Sequence, residues 1–143
     1  MHKKKKTMLT LILIIVSFSV IFSGCIQQEK KQQKQDKISL QQLINNAQPG
    51  DTIYLPSQTY TGIITINKPL KLIGEDKHTT IIDGDYGETV IHIKVDGVTV
   101  TNLTIRNSGG YLENSGIKIE TDNNLVDNCV IYRTKTGIYS RQW

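Results

Sequence analysis

One set of chemically capable side chains recurs at a fixed place in this chain. Thr65, His92, Lys118 and Tyr139 each sit at the centre of a short apolar triplet, in Ile64-Thr65-Ile66, Ile91-His92-Ile93, Ile117-Lys118-Ile119 and Ile138-Tyr139-Ser140. Two residues further on lie Asn67, Lys94, Glu120 and Arg141. If the flanking isoleucines point inward, period-2 alternation sends both sets outward onto one face. Such a face would carry an imidazole, two ammoniums, a carboxylate, a phenol and a guanidinium. That mixture suits an acidic or hydroxylated polymer lying along it. Thr65, His92, Lys94, Lys118, Glu120, Tyr139 and Arg141 are therefore the candidate ligand-binding residues.

Catalysis needs more than this face supplies. Glu120 is its one carboxylate, whereas glycoside hydrolysis generally uses two, about 5–9.5 Å apart. A second would have to come from the loops containing Asp83-Gly84-Asp85-Tyr86-Gly87-Glu88 or Tyr111-Leu112-Glu113. Lys118 beside Glu120 is more simply a solvated pair. We therefore assign no catalytic residue. Asp83, Asp85 and Glu88 are hard oxygen donors of the kind Ca²⁺ takes, but they lack EF-hand spacing, and Asp-Gly is ordinary turn chemistry. Beyond the first residues the histidines are His78 and His92, with no methionine, which is poor ligand stock for copper. His78 falls in the expansion 75–79 and is expected in a surface loop. No metal or cofactor is expected. Nucleophile motifs, phosphate loops and zinc spacings are absent from the sequence. Among the aromatic residues, only Tyr139 is expected on the candidate face as a sugar-stacking platform.

The elements that must position this face are short strands. The triplets recur at steps of 27, 26 and 21 residues, and Val98, Val100, Asn102, Leu103 and Ile105 have counterparts 26 positions later in Asn124, Val126, Asn128, Cys129 and Ile131. A repeat of this length cannot bury its own apolar face, so each must stack on the next. Strands are expected at 52–55, 62–66, 70–73, 79–83, 90–95, 98–100, 103–105, 116–121, 125–126, 129–132 and 137–140, being rich in Ile, Val and Thr and separated by Gly, Asn or Asp. Three strands per repeat make an all-β parallel β-helix of about four rungs. Ile64, Ile91, Ile117 and Ile138 should form one inward ladder, and Ile66, Ile93 and Ile119 a second. Asn102 and Asn128 should stack at a bend, where Asn tolerates a left-handed backbone. Asn102 also opens an Asn-Leu-Thr sequon, but a ladder role is preferred. Cys129 takes the place of Leu103 one repeat on, and is expected as a small buried hydrophobe. Ser39 to Ala47 puts Leu40, Leu43, Ile44 and Ala47 at helical spacing behind an N-capping Ser39, forming a short helix that covers the first open end of the core.

The chain ends set the context. Lys3 to Lys6, the apolar Met8 to Phe22 and Ser23-Gly24 form an export signal in residues 1–24. The apolar stretch is short against the ~20 residues of a transmembrane helix. Cys25 after Phe-Ser-Gly resembles the lipobox of prokaryotic lipoproteins, which implies lipid on Cys25; the alternative is an uncleaved N-terminal anchor. Either leaves the rest exported and held on the extracytoplasmic face of a membrane. Residues 25–37 read as a polar tether, and 38–143 as the β-helix domain. With Cys25 lipidated, Cys129 has no intramolecular disulfide partner. The formal charge of +4 owes its excess to Lys3 to Lys6. From Ile38 onward there are nine basic and eleven acidic residues, which gives no support for nucleic-acid binding. The rung begun at Gly137 breaks off at Trp143 with no capping element. We therefore expect a truncated fragment, prone to self-association or to binding a partner at its open last rung.

The segments Gln48-Pro49-Gly50-Asp51-Thr52-Ile53-Tyr54-Leu55-Pro56-Ser57, Tyr60-Thr61-Gly62, Pro69-Leu70-Lys71-Leu72-Ile73-Gly74, Thr80-Ile81-Ile82-Asp83-Gly84 and 96–107 resemble the start of right-handed parallel β-helix proteins of the pectin-lyase-like superfamily. Within that superfamily they are similar to NosD-type and carbohydrate-binding or sugar-hydrolysis β-helix domains. The resemblance implies fold more specifically than activity, because these are turn and core residues. Three roles follow from it. The first is a noncatalytic surface scaffold or glycan-binding module, the second a polysaccharide lyase or hydrolase with catalytic rungs downstream, and the third a NosD-like accessory factor in metalloenzyme maturation.

Lipidation is directly testable. Cys25→Ser is expected to release or misprocess the protein, read by membrane fractionation and intact mass; an unchanged mass and distribution would contradict lipid attachment.

Overall fold

The computed structural model describes residues 38–141, and the expected signal, lipidated Cys25 and polar tether lie outside them. Among the described residues the first element is helix α1 (Leu40–Asn46). Twelve short strands follow: β1 (Thr52–Leu55), β2 (Thr59–Thr61), β3 (Ile64–Ile66), β4 (Lys71–Gly74), β5 (Ile81–Asp83), β6 (Ile91–Ile93), β7 (Thr99–Thr101), β8 (Thr104–Arg106), β9 (Ser115–Ile119), β10 (Leu125–Asp127), β11 (Val130–Tyr132) and β12 (Thr136–Ser140). Each strand pairs in parallel with the strand three places further on, giving three four-stranded sheets, β1-β4-β7-β10, β2-β5-β8-β11 and β3-β6-β9-β12. This arrangement is compatible with a parallel β-helix or solenoid. Among the described residues no helix is long and apolar enough to cross a membrane.

Alternation works as the sequence requires. In the β3-β6-β9-β12 sheet, Ile64 pairs with Ile91, Ile91 with Ile117 and Ile117 with Ile138, so like side chains fall in register. Ile91 and Ile117 are fully buried, and Ile64 nearly so. Ile66 and Ile93 form the second ladder, with Ile119 packed against it. Leu55, Leu72 and Val100 line the core from the first sheet, and Tyr60, Ile82 and Ile105 from the second. Ile138 departs from its expected burial, at 46 % exposed, because among the described residues β12 has a strand neighbour on one side only. Cys129 is half-buried, and burial pushes its thiol pKa up, consistent with a packing role. His78 lies on an exposed turn, as expected.

Two capping devices explain local order. Ser39 and Gln42 form a reciprocal capping box at the start of α1. Leu40 and Ile44 are buried against the core, whereas Leu43, expected to join them, is exposed. Gln41 closes the exposed edge of β3. Its Oε1 accepts from the Thr65 N–H at 2.7 Å and its Nε2 donates to the Thr65 carbonyl at 3.1 Å. One side-chain amide thus takes both bonds that a preceding parallel strand would have made. The expected asparagine stack is also present. Asn102 and Asn128 both have positive φ, and Asn128 Nδ2 donates to Asn102 Oδ1 at 3.0 Å while Asn102 Nδ2 reaches the carbonyls of Gly74 and Glu75. Strand β2 is the element the pattern missed, because Thr59-Tyr60-Thr61 offers a single apolar side chain.

The alternation predicts an asymmetry between faces. Ile91→Ala should lower unfolding free energy by about 2–5 kcal/mol through lost burial and a cavity, while the exposed Lys94→Ala should stay within roughly 0.5 kcal/mol. Denaturant titration reads both, and equal effects would contradict the assignment of faces.

Candidate functional site

The outward column forms as spacing required: Thr65 lies beside His92, His92 beside Lys118, and Lys118 beside Tyr139. What turns this flat face into a site is the uneven length of the connections leading into its strands. The links before β3 and β12 are short, but those before β6 (84–90) and β9 (107–114) are long. These two excursions stack to make a wall beside the sheet. The Gly84 N–H donates to the Arg106 carbonyl at 2.9 Å, the Tyr86 N–H to the Asn107 carbonyl at 2.9 Å, and the Gly109 N–H to the Glu88 carbonyl at 3.0 Å. Their approach is close enough that a Cβ on Gly109 would overlap the Gly87 carbonyl oxygen.

Asp83 anchors the base of this wall. Its Oδ2 takes the Arg106 Nε–H at 2.7 Å, and its Oδ1 takes Asn107 Nδ2 at 2.8 Å and the Asp85 N–H at 3.0 Å. Burial works against its charged form, but the hydrogen bonds from Asn107, Asp85 and Arg106 outweigh it and hold its carboxyl below the ordinary value. Its oxygens are thus already committed to the loop. No group of three or more metal-ligating side chains assembles among the described residues.

Between wall and sheet runs a groove of about 700 Å³, in the size range of small-ligand clefts. Thr65, His92 and Lys118 line its sheet side, and Glu88, Thr89, Tyr111, Leu112, Glu113 and Asn114 its loop side. It adjoins a smaller groove of about 290 Å³ lined by Leu112, Glu113, Lys118, Tyr139 and Arg141. Lys118, Leu112 and Glu113 are common to both. Lys94 is exposed and lines neither. Tyr111 and Leu112 are 82 % and 83 % exposed. Tyr111 therefore offers an aromatic surface that alternation along the strands could not place, because it belongs to a loop. The sequence carried one signal for this wall: the repeat shortens from 26 to 21 residues where the excursion is lost.

Glu120 joins two members of the column. Its Oε1 lies 3.0 Å from His92 Nε2 and 3.4 Å from Lys118 Nζ. Apart from this contact, the buried Nε2 has no hydrogen-bond partner among the described residues. Lys118 Nζ also stands 6.0 Å from the centre of the Tyr139 ring, at the limit of cation–π range. The contact with His92, followed by that with Lys118, holds the Glu120 carboxyl below its ordinary value despite some burial. Glu120 is thus a carboxylate at neutral pH, set between two nitrogen donors.

Comparison of the chain with protein-family models, with curated proteins and with solved structures finds no significant match in any of the three.

The His92–Glu120 contact predicts a pH signature. Pairing lowers the folded-state pKa of Glu120, so its stabilising contribution is complete above the ordinary carboxylate range and is lost as pH falls through the lowered folded value. Followed by NMR, the Glu120 side chain should titrate below a free glutamate, and His92→Ala should move it upward. An unchanged midpoint in that variant would contradict the pairing.

Proposed function

We propose that this chain is a glycan-binding module built on a right-handed parallel β-helix of pectin-lyase-like type, exported and tethered on the extracytoplasmic face of a membrane. The observation that carries the reading is the groove, in which a rigid sheet face of hydrogen-bonding and charged side chains runs opposite a projecting aromatic. Sugars need both, as their hydroxyls seek polar partners and their C–H faces seek an apolar surface. Thr65, His92, Lys118 and Tyr139 supply the first along the strand stack, with Glu120 and Arg141 beside them. Tyr111 and Leu112 supply the second. A sheet-borne row of this kind suits an extended polymer better than a compact ligand, because equivalent positions repeat from strand to strand.

The role we favour is noncatalytic. Glu120, the carboxylate at the centre of the face, is kept ionised by His92 and Lys118, the opposite of what a general acid requires. A lyase or hydrolase is the second reading, favoured by one feature: Glu88 and Glu113 bring further carboxylates into the groove that holds His92 and Lys118. The accessory role in metalloenzyme maturation rests on resemblance alone.

Binding and turnover separate these readings. Across immobilised neutral, acidic and basic polysaccharides, at least one polymer is expected to retain the full chain, with retention reduced in His92→Ala and Lys118→Ala and no product released. New reducing ends or unsaturated products would overturn the noncatalytic role, and failure to retain the chain on any of the polymers would overturn the glycan reading.

A further inference from the structure

The charges lining the larger groove do not balance. Lys118, its one lysine or arginine, is already engaged by Glu120 at 3.4 Å. Glu88 and Glu113 are exposed on the loop wall, and their side-chain carboxylates have no ion-pair or hydrogen-bond partner among the described residues. The groove therefore presents two carboxylates in the same lining as Tyr111, and Glu113 also borders the adjoining groove with Lys118 and Arg141. Carboxylates attract a cation directly, and an aromatic face attracts it through the ring quadrupole.

A second feature points to a ligand rather than to a solvated acidic loop. Asn114 lies at the foot of the same wall and is only 9 % exposed. Its main chain is tied by its N–H to the Tyr111 carbonyl at 3.0 Å and by its carbonyl to the Thr136 N–H at 3.3 Å. Its side-chain amide, by contrast, has no hydrogen-bond partner among the described residues, although it lines the groove. The amide packs by its Nδ2 against Gly109 and keeps accessible surface, so it remains a donor and acceptor that a ligand in the groove can meet. A sugar hydroxyl supplies that partner.

We propose that the larger groove selects a cationic glycan, a chain of amino sugars whose ammonium groups meet Glu88 and Glu113, whose hydroxyls meet Asn114 and whose C–H face lies on Tyr111. This rests on the glycan reading and reverses one expectation drawn from side-chain types on the sheet alone, that of an acidic polymer. On the sheet, Glu120 lies against both His92 and Lys118. The apolar Ile63 and Leu112 at the rim complete a site that accepts a charged group at some positions and a ring face at others.

The test is titration calorimetry of the full chain in detergent micelles with three probes: a glucosamine hexamer, its N-acetylated counterpart and a galacturonate hexamer. The glucosamine hexamer should bind at least about tenfold more tightly than either of the others, and Glu88→Gln with Glu113→Gln should remove roughly that factor. Added salt should weaken this binding and leave that of the N-acetylated hexamer nearly unchanged. Both substituted residues are exposed, and circular dichroism would verify that the fold is kept. Equal binding of the acetylated hexamer, tighter binding of the galacturonate hexamer, or a preference that survives the double substitution would each overturn the cationic assignment while leaving glycan binding in place. If none of the three hexamers binds, both the assignment and the glycan reading fall.

Discussion

The in-register stacking of Ile64, Ile91 and Ile117 is the constraint on which the rest depends. A strand of three residues has almost no stability alone, and its two inward side chains find a core only when the next strand places equivalent side chains directly beside them. Once that register is imposed, the residue between them has no freedom left. Thr65, His92 and Lys118 must then form an outward column at the strand spacing. A slip of one residue would bury an imidazole and an ammonium and expose two ladders of isoleucine, which the hydrophobic effect opposes at every strand. The candidate site is thus a by-product of core packing, held with the rigidity of the core.

The same stacking leaves open edges, and the chain manages the first of them with an amide. Gln41 presents to Thr65 the donor and acceptor a strand would present, and Leu40 and Ile44 of the same helix cover the apolar cross-section. A single short helix therefore satisfies the backbone and the core together. The asparagine pair does comparable work at a bend, where left-handed backbone and side-chain hydrogen bonds repeat from one strand layer to the next.

Legibility in the sequence followed from how local each cause is. The ladders and the outward column were readable because alternation and the repeat are properties of adjacent residues. Strand β2 was missed because Tyr60 is the one apolar residue in its three. Leu43 was expected in the core because helical spacing ignores how narrow a core end is, with room for Leu40 and Ile44 only. The column was readable, but the groove was not. Its wall is made by the stacking of 84–90 on 107–114, fixed by Asp83, Arg106 and Asn107, and pairings between residues more than twenty positions apart leave no periodic trace. For that reason Tyr111 and Asn114 were absent from the expected site.

Backbone amide shifts of the full chain, recorded during titration with a glycan it retains, would locate the ligand most directly. Changes concentrated at Thr65, His92 and Lys118 and along 107–114, with the β1-β4-β7-β10 sheet silent, are the predicted result. Changes centred on that other sheet, or spread without focus over all three, would contradict the assignment of the groove as the binding site.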